Sequence, residues 1–261
     1  MTWVIGRAGP FGYAVGLSDV RVTLSNGAEL DCLQKIYKIG NQMALGFAGS
    51  VAIGMENVAQ LSDALNLSGD GRIWDPRDIA ERLPIGAKKI FNSFDKTEQQ
   101  LGCQLILLGA HPTERDGDAP WAKCYVYRFY APEFKPIRSH GAEIVSIGSG
   151  SSVNQYVETL KMLQDNYDMS RLEVGTFGGS GLGLMVYVSS ILNKLSVSGI
   201  SRHLHVCIVG RNAMTLGTNN IEAPDSPDLH FVMPPVAKSM EELWQIIEQQ
   251  CGGLSVKGAS C

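Results

Sequence analysis

Several features that mark redox, metal-binding and nucleotide-binding proteins are missing from this chain of 261 residues. Its six cysteines show no C-x-x-C spacing, so the sequence indicates neither a redox dithiol nor a four-cysteine zinc site. They are Cys32, Cys103, Cys124, Cys207, Cys251 and Cys261. A P-loop is also missing, because no Gly-Lys pair occurs. We therefore predict a protein without a cofactor or a metal.

Long apolar segments and concentrated positive charge are missing as well. No apolar stretch is long enough to span a bilayer, and the N-terminus lacks the charged-then-apolar layout of a secretory signal. The net charge is −4 and there is no extended run of lysine and arginine, which argues against a nucleic-acid partner. The expectation is a soluble, cytoplasmic protein that binds neither nucleic acid nor membrane.

One alternation leaves a metal alternative open. His203, His205 and Cys207 recur at every second residue, so on a strand they would share one face. Such spacing can contribute to a zinc site, but no fourth ligand is evident and the run around them is apolar. A place in the core or at an interface is the more typical role for these three residues.

The chain does contain enough apolar sequence for a substantial core. Hydrophobic residues make up 44% of it and charged residues 18%, which suits one large domain. We predict a single domain over residues 1–250, and then a flexible tail at 251–261.

Strand and helix patterns alternate in blocks along the chain. Segments rich in β-branched and aromatic residues predict strands at 3–8, 12–24, 31–39, 42–48, 103–110, 122–131, 136–147, 203–210 and 213–218. Helical periodicity predicts helices at about 50–67, 76–99, 151–165, 181–197 and 239–250. Pro84 and Gly86 should kink or divide the second helix. Two antiparallel sheets packed together, with a helical layer outside each, would bury all of these faces, which is an α+β fold with four αββα layers.

A threonine stands directly after the initiator methionine. Met1 precedes a small side chain, the context in which the initiator is usually removed. Removal would leave a hydroxyl and a primary amine on Thr2, which is a nucleophile with its own base. Many unrelated proteins begin Met-Thr, so the interpretation depends on the other residues of the N-terminal region.

Three further residues provide that context. Asp19 ends an alternating strand-like run, and Lys35 lies between the apolar neighbours Leu33 and Tyr37 on one strand face. Such a lysine either extends its ammonium to solvent or is held in a cleft by a carboxylate, and the first outcome is the commoner one. Gly49 occupies a predicted strand-to-helix junction, where a residue without a side chain lets its N–H approach a substrate carbonyl.

With these residues in this order along the chain, the sequence resembles a proteasome β-type subunit, a member of the N-terminal nucleophile hydrolases. The resemblance is carried by Thr2, the Ser-Asp-x-Arg motif at Ser18–Arg21, the strand lysine Lys35, the Phe-Ala-Gly turn at Phe47–Gly49 and the serine turn at Ile147–Ser151. The amino-acid sequences of the two turns are most similar to those of the bacterial HslV peptidase and related proteasome-like proteins. The resemblance implies the N-terminal nucleophile hydrolase version of the four-layer fold.

The spacing of these residues matches the family with one difference. The intervals from Asp19 to Lys35 and from Lys35 to Gly49 match it without a gap, and the interval from Thr2 to Asp19 is longer by one residue. A looser first hairpin around Gly9–Gly12 would absorb that residue.

The resemblance implies a role for each site residue. Thr2 Oγ would attack the peptide carbonyl, and the free α-amine, which ordinarily titrates near ~8, would take the proton. Lys35 would lower the pKa of that amine, and Asp19 would orient Lys35. The Gly49 N–H would bind the oxyanion, a contact worth ~3 kcal/mol of barrier. Ser149 would hydrogen-bond near the amine.

The resemblance also implies a substrate pocket and an assembly. The residues that correspond to the first specificity pocket are Val22, Thr23, Leu33, Tyr37 and Phe47. They would favour an apolar side chain before the cut bond, although apolar residues on strands are also typical of a core. The partners implied are a protein or peptide substrate, further copies of the chain in stacked homo-oligomeric rings, and in some relatives an ATP-dependent unfoldase.

One position departs from the family pattern. Ser198 and Gly199 match a family pair, but the carboxylate expected just before them falls on Leu195. The leading interpretation is a threonine peptidase inside a ring. A catalytically silent barrel subunit is the alternative that the missing carboxylate would favour. A small-molecule amidase with the same chemistry ranks last, since such enzymes more often begin with Cys or Ser.

Overall fold

In the computed structural model, groups of strands and helices alternate along the chain. The structure describes residues 2–9, 11–66, 73–118, 120–141, 143–166, 188–189, 192, 199–211, 213–220 and 232–251. The strands are β1 (Val4–Ala8), β2 (Tyr13–Asp19), β3 (Arg21–Thr23), β4 (Glu29–Asp31), β5 (Ile36–Lys38), β6 (Met43–Gly49), β7 (Cys103–Arg115), β8 (Ala122–Tyr130), β9 (Ile137–Arg138), β10 (Ile144–Ile147), β11 (Leu204–Gly210) and β12 (Ala213–Thr218). The helices are α1 (Val51–Asn66), α2 (Pro76–Ser93), α3 (Lys96–Gln100), α4 (Asn154–Asn166) and α5 (Met240–Cys251), with a 3₁₀ turn at Ser149–Ser152.

Two antiparallel five-stranded sheets form the centre of the described structure. Their strand orders are β10-β1-β2-β11-β12 and β5-β6-β7-β8-β9, and β3 pairs with β4 in a separate ribbon. The first hairpin pairs Val4 with Ser18 through Ala8 with Ala14 in a continuous register. Any additional residue between β1 and β2 therefore has to lie in the loop that joins them.

The alternation of side chains along each strand sorts the core into layers. On β7, Ile106 and Leu108 lie in the cluster between the two sheets, whereas Leu105 and Leu107 pack on the opposite face with residues of α1 and α2. On β1, Ile5 likewise faces a third cluster that contains residues of α4. The predicted α+β class is confirmed: helices contact the outer faces of two stacked antiparallel sheets.

Three segments predicted as single strands each divide between two strands. Segment 12–24 gives β2 and β3, 31–39 gives β4 and β5, and 136–147 gives β9 and β10. The first division has a visible cause, because the Asp19 carboxylate accepts the N–H of Arg21 at 3.1 Å and so turns the chain out of the first sheet. Local periodicity does not distinguish one long strand from two short ones in different sheets.

Of the two outcomes expected at Pro84 and Gly86, a kink or a division of the second helix, the division is wrong. Helix α2 continues past both residues to Ser93, and the division falls instead at Asp95, whose side chain caps α3 by accepting the Glu98 N–H at 3.0 Å. A terminal capping residue is here the stronger local signal for where a helix begins.

Some sequence predictions fall outside the described residues. They are Leu195, Ser198, most of the helix at 181–197, and residues 252–261 of the tail. Within the residues that the structure describes, no helix has the length and apolar character needed to cross a membrane.

Glycine at one inward-facing position of β6 lets the two sheets approach each other. A Cβ on Gly46 would lie 2.9 Å from Ile106 Cγ2, 3.1 Å from Ile36 Cγ1 and 3.2 Å from Val4 Cγ1, so side chains from both sheets would have to move. We expect Gly46→Ala to lower the free energy of unfolding by about 1–3 kcal/mol in urea denaturation.

The matched control for this prediction is Gly86→Ala. A Cβ at Gly86, in the middle of α2, meets nothing within 4 Å. The same chemical change should there raise the free energy of unfolding by about 0.5–1 kcal/mol. Equal effects of the two substitutions would contradict the claim that close sheet packing requires Gly46.

Candidate active site

Thr2 immediately precedes β1, and the serine turn after β10 holds its backbone. The Thr2 N–H donates to Ser149 Oγ at 2.8 Å, and the Thr2 carbonyl accepts the Gly150 N–H at 2.9 Å. Gly148, with φ +88°, permits this approach, since a Cβ there would lie 3.0 Å from the Thr2 carbonyl carbon. The structure therefore brings together Thr2 and Ser149, which are 147 positions apart in the chain.

Lys35 lies just before β5, and its side chain is fully buried. The ammonium donates to Thr2 Oγ1 at 2.9 Å, to Asp19 Oδ1 at 3.0 Å and to the Arg21 carbonyl at 2.5 Å. These three acceptors account for the three hydrogens that an ammonium can donate. Of the two outcomes open for this lysine, the structure has the one in which a carboxylate holds it.

Asp19, at the end of β2, is the counter-ion of Lys35 and is itself fully buried. Because β1 and β2 pair Val4 with Ser18, the next position brings Asp19 beside Trp3. Its Oδ1 also accepts the Trp3 N–H at 3.0 Å, and its Oδ2 accepts the N–H groups of Arg21 at 3.1 Å and Ser201 at 3.4 Å. A buried ion pair is tolerated when additional hydrogen bonds satisfy its remaining atoms, as they do here.

Gly49 ends β6 directly before α1, at the predicted strand-to-helix junction. Its φ of +97° favours glycine, and a Cβ would lie 2.5 Å from the Gly102 carbonyl oxygen. The neighbouring Ala48 is close to the serine turn, since a Cβ at Gly148 would lie 3.2 Å from the Ala48 Cβ. Gly49 therefore lies at the same end of the sheets as Thr2.

The residues predicted to form the specificity pocket belong to the apolar core. Val22, Leu33 and Phe47 are fully buried and Tyr37 is nearly so, all in one cluster on the outer face of the second sheet. Thr23 is half-buried on β3. The core interpretation is therefore the one that their packing shows, and a role in substrate binding remains a prediction.

Sequence reasoning missed three groups that complete the site. They are the backbone of Arg21, which accepts from Lys35 and donates to Asp19; the backbone N–H of Ser201; and the Gln104 side chain, whose Oε1 accepts the Gly148 N–H at 2.8 Å. Arg21 could have been found, because it lies in the Ser-Asp-x-Arg motif. Ser201 and Gln104 come from distant strands and loops, and no spacing pattern connects them to Thr2.

Of the alternating residues, His203 precedes β11, and His205 and Cys207 lie on it, with Cys207 in the cluster between the two sheets. Burial lowers the pKa of His205 to about 4, with Lys238 and Lys35 adding to the effect, and burial raises the pKa of the Cys207 thiol to about 12. Both side chains are therefore uncharged near neutral pH. Across the described part of the chain, no three His, Cys, Asp or Glu side chains converge as metal ligands do.

Two comparisons of this chain with known proteins gave no match. A scan against protein-family models gives no match for this chain. A search of curated proteins gives no match either. The functional inference therefore depends on the chemistry of the site.

Proposed function

We propose that this chain is an N-terminal threonine hydrolase that cleaves peptide bonds, with Thr2 as its nucleophile after removal of Met1. The observation that carries the proposal is the 2.9 Å contact between the Lys35 ammonium and Thr2 Oγ1, with both side chains fully buried. Burying a lysine is unfavourable unless it is paired, so an ammonium directed at a threonine hydroxyl calls for a reason beyond packing.

The state of the Thr2 nitrogen determines when the site can act. While Met1 is attached, that nitrogen is a peptide amide with one hydrogen, which Ser149 Oγ accepts, and an amide is not a base. After Met1 is removed, the same atom becomes an amine with a lone pair. The Lys35 ammonium next to it disfavours the protonated form and keeps the pKa of the amine low. Initiator removal would thus switch the site on.

We propose the following order of reaction steps. The Thr2 hydroxyl proton passes to the amine, through a water, as Oγ forms a bond to the substrate carbonyl carbon. The Gly49 N–H is the proposed donor to the resulting oxyanion. The peptide C–N bond breaks as the amine's proton moves to the leaving nitrogen. Water then hydrolyses the threonine ester by the same sequence of proton transfers and regenerates the hydroxyl.

The proposal extends to the fold and the assembly. Two stacked antiparallel sheets with helices on their outer faces support the four-layer N-terminal nucleophile hydrolase fold. A site that hydrolyses peptide bonds without strong selectivity needs to be kept away from folded proteins. We therefore include stacked homo-oligomeric rings in the cytoplasm, a protein or peptide substrate and, as an optional partner, an ATP-dependent unfoldase.

An epoxyketone directed at N-terminal threonine provides the experimental test. Intact-mass measurement first establishes that Met1 is absent. We expect one inhibitor mass to be added per chain and peptide mapping to locate it on Thr2, because the reagent needs a hydroxyl and an amine on the same residue. Thr2→Ala is the matched control, since it also permits initiator removal. A trimmed, folded chain that forms no adduct would overturn the proposal.

A catalytically silent barrel subunit is the second candidate, and one observation favours it. Thr2 is fully buried, and so are Val22, Leu33 and Phe47, which a substrate side chain would have to contact. In a purely structural subunit, a threonine hydroxyl could serve only as a hydrogen-bond acceptor for Lys35. Ring assembly in native mass spectrometry without adduct formation would support this candidate.

A further inference from the structure

A second carboxylate, that of Asp31, contacts residues that bind Asp19. Asp31, at the end of β4, accepts the Arg21 Nε at 2.7 Å on its Oδ1. Its Oδ2 accepts the Arg21 Nη2 at 3.2 Å and the Ser201 hydroxyl at 2.7 Å. Asp31 therefore binds the side chains of the two residues whose backbone N–H groups bind Asp19.

These contacts form a closed ring of hydrogen bonds. It runs from the Asp19 carboxylate to the backbone and guanidinium of Arg21, to the Asp31 carboxylate, and through the hydroxyl and backbone N–H of Ser201 back to Asp19. The ring joins three segments distant in sequence: the end of β2, the end of β4 and the loop before β11. Arg21, a member of this ring, also accepts from Lys35 through its carbonyl.

The charges in the ring favour an ionised Asp31. Burial alone would raise the pKa of Asp31, but the hydrogen bonds from Arg21 and Ser201 and the nearby guanidinium outweigh it and lower the pKa. Ser201 is fully buried, and its hydroxyl oxygen also accepts the His203 N–H at 3.0 Å. Each polar atom of the Ser201 hydroxyl thus has a defined partner, which fixes the direction of its bond to Asp31.

We propose that Asp31 is a positioning residue for the threonine site, acting through Arg21 and Ser201 to hold Asp19 and Lys35 against Thr2. The inference rests on the proposed function and adds a residue to it. The hydrogen bonds of the Asp31 carboxylate go to Arg21 and Ser201, and these two residues in turn bind Asp19. Its effect on the reaction is to fix how far the Lys35 ammonium lies from the Thr2 nitrogen.

Asp31→Asn is the variant that tests this role. An asparagine can present its carbonyl oxygen to only one side of the ring, so its NH₂ group faces either Arg21 Nε or the pair formed by Arg21 Nη2 and the Ser201 hydroxyl. We expect kcat to fall by about 10-fold with KM nearly unchanged, because a small displacement of a catalytic group is enough for such a loss. Asp31→Glu, which keeps the charge, should recover part of the rate.

The pH dependence separates positioning from a general loss of folded protein. The Lys35 ammonium contacts the Thr2 hydroxyl and the Asp19 carboxylate, whereas the Arg21 guanidinium binds Asp31. Two histidines also lie near these groups: His203 Nε2 is 3.9 Å from Asp31 Oδ2, and the pKa of His205 is lowered to about 4, mainly by burial. If Lys35 moves away, the amine protonates at higher pH. The acidic limb of kcat/KM should therefore move to higher pH by about 0.5 in Asp31→Asn. A merely structural role would scale the whole profile and leave the limb in place.

Glu29→Gln is the matched control. Glu29 contacts the Arg21 Nη1 at 3.0 Å, where both side chains are partly exposed, whereas Asp31 binds the other two guanidinium nitrogens. Its kcat and pH profile should equal those of the unaltered chain. If Asp31→Asn does not fold, Ser201→Ala removes the hydroxyl donor from the same ring and should produce the same displacement of the limb.

A measurement that needs no catalysis keeps this inference distinct from the proposed function. Competitive acylation across a pH series reports the pKa of the Thr2 amine in the trimmed chain. A pKa of the Thr2 amine that is raised in Asp31→Asn but not in Glu29→Gln supports the positioning role. It does so even if no epoxyketone adduct forms, because the missing adduct contradicts only the peptidase function. The same amine pKa and the same kcat in both variants would overturn the positioning role while leaving the peptidase intact.

Discussion

Replacing Lys35 with methionine should lower kcat/KM for peptide hydrolysis by about 10³-fold, the scale of a lost acid–base arrangement. Methionine has a similar length but no charge and no donor. The Thr2 hydroxyl would lose its 2.9 Å contact, and the Thr2 amine would lose the cation that keeps it unprotonated near neutral pH. Steady-state kinetics on the trimmed chain, with a fluorogenic peptide ending in an apolar residue, measures the effect.

The same substitution should also destabilise the fold. It leaves the Asp19 carboxylate buried without its counter-ion, a situation that typically costs about 3–5 kcal/mol. The backbone N–H groups of Trp3, Arg21 and Ser201 still donate to Asp19, so we expect the lower end, about 3 kcal/mol, in urea denaturation.

A second substitution separates the two effects of Lys35→Met. Adding Asp19→Asn removes the unpaired charge, so the double variant should recover most of the lost free energy of unfolding while hydrolysis stays at the level of Lys35→Met alone. Recovery of activity together with stability would mean that Lys35 serves the fold and has no part in the chemistry.

Removing the Thr2 hydroxyl should have the largest effect on activity. Thr2→Ala takes away the nucleophile and should reduce hydrolysis by about 10⁴-fold or more, to the background rate. The backbone contacts of residue 2 with Ser149 and Gly150 do not involve its side chain, but the buried Lys35 ammonium loses one acceptor. We therefore expect the free energy of unfolding to fall by about 1–3 kcal/mol. The measurement is kcat/KM on chains whose lack of Met1 has been verified by intact mass.

Thr2→Ser is the conservative counterpart. It keeps the hydroxyl and the amine and loses only a methyl group, so we expect activity within about 10-fold of the threonine chain. Serine and alanine are both small, and initiator removal should proceed in both variants. Equal activity of the serine, alanine and threonine chains would exclude residue 2 as the nucleophile.

Local sequence patterns were sufficient for much of the fold. Alternating apolar residues predict the two faces of strands such as β2 and β11, and Ser50 before an apolar run predicts the start of α1, where its Oγ accepts the Ile53 N–H at 3.2 Å. The same local rules were wrong about the strand at 12–24, which changes sheet after Asp19. At that point the Asp19 carboxylate accepts the N–H of Arg21 just after it and the N–H of Trp3 from β1's side of the sheet, and a periodicity count contains no such information.

The candidate site was likewise predictable from the sequence only in part. The order Thr2, Asp19, Lys35 and Gly49 is readable along the first fifty residues, because each of these residues lies at the end of a strand or just before one. Ser201 could not be inferred, since its N–H reaches Asp19 from 182 positions away, and the role of Asp31 depends on that contact. Hydrogen bonds between distant loops have no signature in spacing.

By itself, the sequence determined which chemical groups are available: a threonine after the initiator, a lysine between apolar neighbours, and strands and helices in an α+β order. Only the tertiary structure decided where the lysine points. A lone buried ammonium is unfavourable, so a lysine between apolar residues extends to solvent unless other strands supply acceptors. Here the Asp19 carboxylate at the end of β2, the Thr2 hydroxyl before β1 and the Arg21 carbonyl on β3 supply them together. That convergence exists only after the sheets have packed.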